Sequence, residues 1–240
     1  MKIGYFLSCE EWGPRDLVAL AVKADQSGLD GLWISDHYHP WNDEQGHSPF
    51  VWSVIGAIAQ ATERVHVTTA VTCPTVRIHP AIIAQAAATA SLLLNGRFCL
   101  GVGSGEALNE HILGDRWPDA DERLEMLEEA VEVIRMLWQG GARDHRGRHY
   151  RVEHARIYDL PDEPPAIIFS GFGPKSIDLA ARIGDGYATV GPDADAVARF
   201  RSAARPDAVV QGGLKVCWGE DQRQCVKTVH RLWPCWSFHG

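Results

Sequence analysis

The sequence predicts an α/β fold in which a parallel sheet closes into a TIM, or (β/α)8-type, barrel, present here as seven strand-helix units in one domain spanning residues 1–240. Three observations predict it. Short apolar strands alternate with helical stretches, the pattern of a parallel sheet, whether closed or doubly wound. The alternation repeats at roughly 30 residues, the length of a strand-helix-strand unit. Chemically active side chains stand behind the second and fourth strands: Asp36, His37, His39 and Trp41 follow Gly31-Leu32-Trp33-Ile34, and Ser104-Gly105-Glu106-Ala107-Leu108-Asn109 follows Phe98-Cys99-Leu100-Gly101-Val102-Gly103. An open sheet would gather its ligand at one switch point, whereas a barrel collects side chains from several strand ends on one face.

The elements follow in order. Residues 2–7 read as a strand, and a helix runs from Pro14, suited to a first helical turn, to Ser27, with Leu17, Leu20, Ala21 and Ala24 on one face and Gly28 as the stop. Strand 31–35 leads through SDHYHPW to an apolar helix near Phe50 to Thr62, and strand Val65 to Thr72 leads through Cys73-Pro74 to a helix near Pro80 to Leu94. After strand 98–103 comes the clearest helix, with Asp121 as its expected cap and Leu124, Leu127, Val131, Ile134 and Leu137 at helical spacing. Gly140 and Gly141 end it. Residues 142–163 break the rhythm and suggest a short hairpin. Alternation resumes with strand Ala166 to Ser170, helix Pro174 to Ile183, strand Gly186 to Val190, a helix near Asp195 to Ala204, strand Gly213 to Trp218 and a helix near Gln222 to Leu232. The eight residues from Trp233 to Gly240 cannot supply an eighth strand and helix, so the barrel is expected to be shortened at its C-terminus, its eighth unit missing.

Composition bounds the function. A hydrophobic share of 45% over 240 residues suits one domain with a full core. A net charge of -8 argues against a nucleic-acid partner, which requires a basic face to displace counterions from phosphates. The chain enters a strand at once and then meets Glu10 and Glu11, so neither a signal peptide nor a membrane span is expected, and a cytoplasmic location is. The six cysteines form no CxxC pair and no zinc-type spacing, and most are expected to be reduced.

His37, with an unperturbed pKa of about 6.5, suits proton transfer near neutral pH at a strand end; a histidine hydrogen-bonded within its loop is the plainer reading. A metal site from Asp36, His37, His39 and His47 meets no established ligand spacing, and no metal is expected. Trp41 suits the wall of an aromatic ligand or simple packing. GVGSGE fails the dinucleotide pattern GxGxxG, because Glu106 holds the place of the third glycine. Behind a buried strand, desolvation would raise the Glu106 pKa and fit it as an acid; a carboxylate facing a helix dipole is the structural alternative. The turn Ser170-Gly171-Phe172-Gly173-Pro174-Lys175-Ser176 opens a helix, and suits either a phosphate or an ordinary strand-to-helix turn.

The run IGYFLSCEEWGPRDLVALAVKADQSGLDGLWISDHYHPW, together with TCPTVRIHPAIIAQA and GVGSGEALNE, resembles the deazaflavin-dependent glucose-6-phosphate dehydrogenase group of the bacterial-luciferase-like barrel oxidoreductases. The likeness is collinear from residue 1 to about residue 232. It implies a barrel that binds coenzyme F420, a two-electron hydride carrier, at the C-terminal ends of the strands. By motif position His37 looks like the family's base on the substrate hydroxyl and Glu106 like the acid near the deazaflavin ring, with Trp41 and Glu10 as active-site neighbours. Asp36, Cys73, Ser104, Gly105, Asn109, Gly173 and Ser176 look like cofactor contacts, Cys73 replacing a threonine. The family also carries a non-proline cis peptide where Ala70-Val71 stands.

Where the family has a phosphate-binding threonine and lysine, this chain has Val190 and Asp193, and an aspartate repels a phosphate dianion. The expectation is an F420-dependent oxidoreductase that passes a hydride between the coenzyme and an alcohol-type substrate other than glucose 6-phosphate. The alternatives are a flavin mononucleotide-dependent monooxygenase of the same barrel class and an inactive, shortened member. Expected partners are a small-molecule substrate and, at most, a second copy as a homodimer.

Overall fold

The computed structural model describes residues 1–234. Strand β1 (Gly4–Leu7) is followed by helix α1 (Pro14–Gln26), β2 (Gly31–Ile34) by α2 (Val51–Ala61), and β3 (His66–Thr69) by α3 (Pro80–Leu93). Strand β4 (Phe98–Val102) leads to a short α4 (Ala107–Glu110) and the long α5 (Ala120–Trp138). An antiparallel hairpin, β5 (Arg143–Arg146) and β6 (Arg151–Ala155), interrupts the alternation where the sequence loses its helical period. Then come β7 (Ala166–Ser170), α6 (Pro174–Ile183), β8 (Gly186–Thr189), α7 (Ala194–Ala203), β9 (Val209–Gly212) and α8 (Gln222–Leu232).

Seven strands form one parallel sheet in the order β1-β2-β3-β4-β7-β8-β9, so every strand neighbours its predecessor and all C-terminal ends share one edge. Register runs Gly4 opposite Gly31, Gly31 opposite His66, Cys99 opposite Ala166 and Gly186 opposite Val209. The sheet is curled: the Trp33 indole of β2 crosses its concave side, and Nε1 donates to Gln211 Oε1 of β9 at 2.5 Å. Among the described residues β1 and β9 are its two edges, so the seven expected units are present as a barrel-like half-turn.

Local chemistry explains the elements. Pro14, Pro80 and Pro174 open α1, α3 and α6, where the missing N–H would be unsatisfied anyway. The stripe Leu127, Val131, Ile134 and Leu137 buries one face of α5, and Ile34, Val67, Leu100 and Ile167 bury the sheet. Each such side chain contributes about 1.5–3 kcal/mol by leaving water. Glu129 of α5 accepts the backbone N–H groups of His149 and Tyr150, docking the hairpin. Tyr150 in turn donates to the Thr75 carbonyl at 3.0 Å, which ties the hairpin to the segment after β3. The Ala70–Val71 peptide is cis.

Two expectations are corrected. The cap of α5 is Asp119, whose Oδ1 accepts from Glu122 N at 3.0 Å; Asp121 lies inside the first turn and meets Lys175 instead. The seventh strand is Val209–Gly212 and not Gly213 to Trp218. Gly212 already faces Thr189, the last residue of β8, so among the described residues none beyond Gly212 continues this ladder. Leu214, Val216 and Trp218 are accordingly 74%, 82% and 90% exposed. Of the final eight residues, Cys235 to Gly240 lie outside the described residues.

Candidate active site

Parallel strands in sequence order bring the segments after β1, β2 and β4 to one edge, and their side chains converge on His37. Glu10, after β1, is 1% exposed, and its Oε1 lies 2.5 Å from His37 Nδ1. At this separation two acceptors would repel, so the contact is favourable with a proton between the two atoms, and it is an ion pair when the imidazole is charged. The other Glu10 oxygen, Oε2, accepts from Ser8 Oγ at 2.8 Å and from Ser35 Oγ at 2.9 Å. Across the imidazole, Nε2 lies 3.7 Å from Glu106 Oε1. The Trp41 ring stands edge-on to the imidazole, with centroids 5.1 Å apart and planes at 87°.

A buried set of polar groups lies behind this line. Asp36 accepts from Thr72 Oγ1 at 2.8 Å and from Arg77 Nη2 at 2.9 Å. Arg77 also meets Glu110, through its backbone N at 2.8 Å and Nε at 3.3 Å. Asn109 Oδ1 accepts the N–H groups of Tyr38 and His39 at 2.8 and 2.7 Å, while its Nδ2 donates to Glu106. The amide therefore locks the segment after β2 to the start of α4. Gln45 supports Trp41 in the same way: Oε1 accepts Trp41 N, and Nε2 donates to the Leu232 carbonyl at the end of α8.

The electrostatics follow from this packing. Burial opposes a charge on His37, but the Glu10 carboxylate, with Glu106 and Asp36 beyond it, outweighs burial and raises the imidazole pKa. Burial also opposes charge on Glu10, yet His37 and the Ser8 hydroxyl hold it below the usual carboxylate range. Glu110 is raised, because its burial exceeds the help it takes from Arg77.

The expected catalytic residues His37, Glu106, Trp41 and Glu10 are thus brought together. Glu106, however, has a side chain 38% exposed: it precedes α4 at the rim, so the burial expected to act on it is absent. Among the expected cofactor contacts, Asp36 and Asn109 are 3% and 1% exposed and engage the protein's own groups. Cys73 is buried beneath the turn with Sγ 2.9 Å from Thr75 Oγ1, and burial pushes its thiol pKa up, away from the reactive thiolate. Gly105 presses on it at φ +72, where a Cβ would collide with Cys73 Sγ. Ser104 and Gly105 are half-buried in that turn. Gly173 and Ser176 sit apart from His37, at the start of α6, with Ser176 Oγ donating to the Gly173 carbonyl at 2.8 Å. Sequence reasoning missed Ser8, Ser35 and Arg77. The first two flank Glu10 and Asp36, and a single arginine in the apolar run TCPTVRIHP was the available signal for the third.

Comparison with known proteins identifies the family. The pattern of the Luciferase-like monooxygenase family matches residues 1–239. The chain belongs to this family. Within reach of it stands a relative named F420-dependent glucose-6-phosphate dehydrogenase from Amycolatopsis mediterranei (strain U-32), 47% identical over 188 residues, 78% of this chain and 56% of that protein. A protein of the same name from Beutenbergia cavernae is 44% identical over 187 residues, with the same shares covered. The chain therefore spans little more than half the length of these curated relatives, and the aligned stretches are shorter than the reach to about residue 232 that the motifs suggested. A solved F420-dependent secondary alcohol dehydrogenase, in complex with an F420-acetone adduct, superposes with a TM-score of 0.90 at 33% identity, over 98% of this chain and 74% of that one. The coenzyme F420 dependent tetrahydromethanopterin reductase of Methanopyrus kandleri, 20% identical with a TM-score of 0.77 over 94% of this chain and 69% of that one, shares the fold. Among the described residues no helix is long and apolar enough to cross a membrane.

Proposed function

We propose that this chain is an F420-dependent oxidoreductase that interconverts an alcohol-type substrate and its carbonyl. The observation that carries the reading is His37, held at the strand-end edge between Glu10 at 2.5 Å and Glu106 at 3.7 Å with Trp41 against its ring. That set can move a proton at a substrate oxygen but offers no redox centre of its own. Relatives named as F420-dependent dehydrogenases at 44–47% identity support the choice of coenzyme.

The residues fit such a group. The turn at Gly105 adopts φ +72 and packs its backbone directly on Cys73, close to Glu106 and His37. Gly173 caps α6 without a side chain to occupy the first N–H groups of that helix, which suits an anionic tail. The bound coenzyme supplies a position that accepts or gives a hydride. Everything else falls to the protein: His37 Nε2 exchanges the proton of the substrate oxygen, Glu10 orients the ring, Trp41 walls the site, and Glu106 sets the charge at the rim.

The substrate is a small molecule without a phosphate to grip. Asp193 caps α7, its Oδ1 accepting from Ala196 N at 2.9 Å, so the aspartate at the family's lysine position is fixed in place as a negative group. Anaerobic incubation with oxidised F420 and a panel of secondary alcohols tests the reading by bleaching of the deazaflavin absorbance. Oxygen-dependent turnover with reduced flavin mononucleotide, and none with F420, would replace it by the monooxygenase alternative.

A further inference from the structure

The hydroxyl groups around Glu10 say which protonation state the resting site holds. Ser35 Oγ accepts the backbone N–H of Cys9 at 2.9 Å, so its own hydrogen is free to point at Glu10 Oε2. Ser8 Oγ approaches the same oxygen at 2.8 Å. A carboxyl oxygen that receives two hydroxyl donors in a site this dry is an ionised acceptor. The remaining oxygen, Oε1, then faces His37 Nδ1 as a second acceptor, which requires a proton on Nδ1. On the opposite side Nε2 faces Glu106 Oε1, an oxygen that already accepts from Asn109 Nδ2. Both imidazole nitrogens therefore look at acceptors.

Charge points the same way. His37 is faced by Glu10 from the segment after β1, by Asp36 from its own strand end and by Glu106 from the segment after β4. Behind them stands Glu110, and among the described residues the cation paired with this set, Arg77, is committed to Asp36 and Glu110. A positive imidazole is what the cluster lacks.

Resting on the reading given under Proposed function, we infer that the two serines pin Glu10 as an anion, that Glu10 and Glu106 hold His37 as an imidazolium at neutral pH, and that the resting site is therefore loaded to protonate a carbonyl oxygen. Ser8 and Ser35 are positioning residues in this scheme. In the loaded direction the carbonyl carbon accepts a hydride from the reduced deazaflavin, the carbon–oxygen π bond opens, and the oxygen takes the Nε2 proton. His37 leaves the step neutral, keeping its Nδ1 proton directed at the Glu10 carboxylate. Alcohol oxidation is the reverse and needs the neutral ring. Its rate at limiting substrate should rise with pH through the His37 midpoint, while carbonyl reduction falls.

The decisive measurement uses the whole chain without cofactor, labelled with 15N-histidine, followed by NMR of the imidazole nitrogens across pH, with His37→Asn identifying the signals. Protonation of both His37 nitrogens at neutral pH, with a midpoint above the ordinary value of about 6.5, supports the inference; a midpoint at or below that value overturns it. Glu10→Gln should lower proton affinity at least about tenfold, one pH unit, and Ser8→Ala combined with Ser35→Ala should lower it in the same direction. If the buried variants do not fold, Glu106→Gln at the rim still lowers the midpoint, and unchanged midpoints in the folded variants overturn the inference. Hydride transfer is scored separately: a loaded His37 in a protein that never transfers hydride to F420 would sink the functional reading and leave the assigned protonation state standing.

Discussion

Replacing Arg77 by Met leaves two buried carboxyl groups without their cation, and the structure sets the size of the effect. The Arg77 side chain is 6% exposed, and its partners Asp36 and Glu110 are 1% and 2% exposed. Removing one member of a buried ion pair costs about 3–5 kcal/mol, because the other charge stays behind. Here the loss is softened: Asp36 keeps Thr72 Oγ1, and Glu110 keeps the backbone N of residue 77. The lower end, about 3 kcal/mol, is the expectation, and at roughly 2–4 °C per kcal/mol the melting temperature should fall by about 6–12 °C. The pH dependence has a definite sign. Without the guanidinium the Glu110 carboxyl, already raised by burial, is pushed further above its unfolded value. Groups raised on folding contribute stability at low pH and lose it as pH rises through the folded pKa. The deficit relative to the unaltered protein should therefore be largest near neutral pH and shrink on acidification. Urea unfolding of both proteins at several pH values measures this directly. A deficit below about 1 kcal/mol, or one that widens in acid, would refute the argument that Arg77 holds these carboxylates.

Other expectations follow from the same geometry. His37→Ala and Glu106→Gln should each bind the coenzyme much as the unaltered chain does while turning over on the order of 100-fold more slowly; steady-state rates at equal occupancy decide this, and unchanged rates would remove both from the chemistry. Gly105→Ala should lose stability by about 1–3 kcal/mol, because the residue sits at φ +72 and its new Cβ meets Cys73; a thermal melt matching the parent would mean that the turn relaxes freely. Glucose 6-phosphate should be a poor substrate beside an uncharged secondary alcohol, since Asp193, held as the cap of α7, offers no cation to a phosphate. A comparable kcat/KM for the sugar phosphate would contradict that assignment.

The strand-helix alternation was legible because each unit switches from apolar strand to helical period within a few residues, and Pro14, Pro80 and Pro174 mark helix starts. Strand β9 was misplaced for a reason no local pattern carries: the alternation at Leu214, Val216 and Trp218 looks like a strand, but β8 ends opposite Gly212. The capping of α5 by Asp119 was hidden among nearby carboxylates that a composition signal does not rank. In the site, the meeting of His37 and Glu106 was readable because strand ends on a parallel sheet share an edge, whereas Glu10 and Trp41 entered as active-site neighbours through the family resemblance. The partners that fix them were not. Arg77 reaches Asp36 across 41 residues of chain, and Ser35 reaches Glu10 across 25. Such pairings depend on which loops approach each other. The packing of Cys73 beneath Gly105 shows the same limit, since it joins two loops that the motifs do not pair.

The account turns on which cofactor the site around His37 takes. Fluorescence titration of the purified chain with oxidised F420 and, in parallel, with flavin mononucleotide tests this most directly. The account predicts saturable F420 binding that is clearly tighter than that of the flavin. Equal or tighter binding of flavin mononucleotide would contradict it.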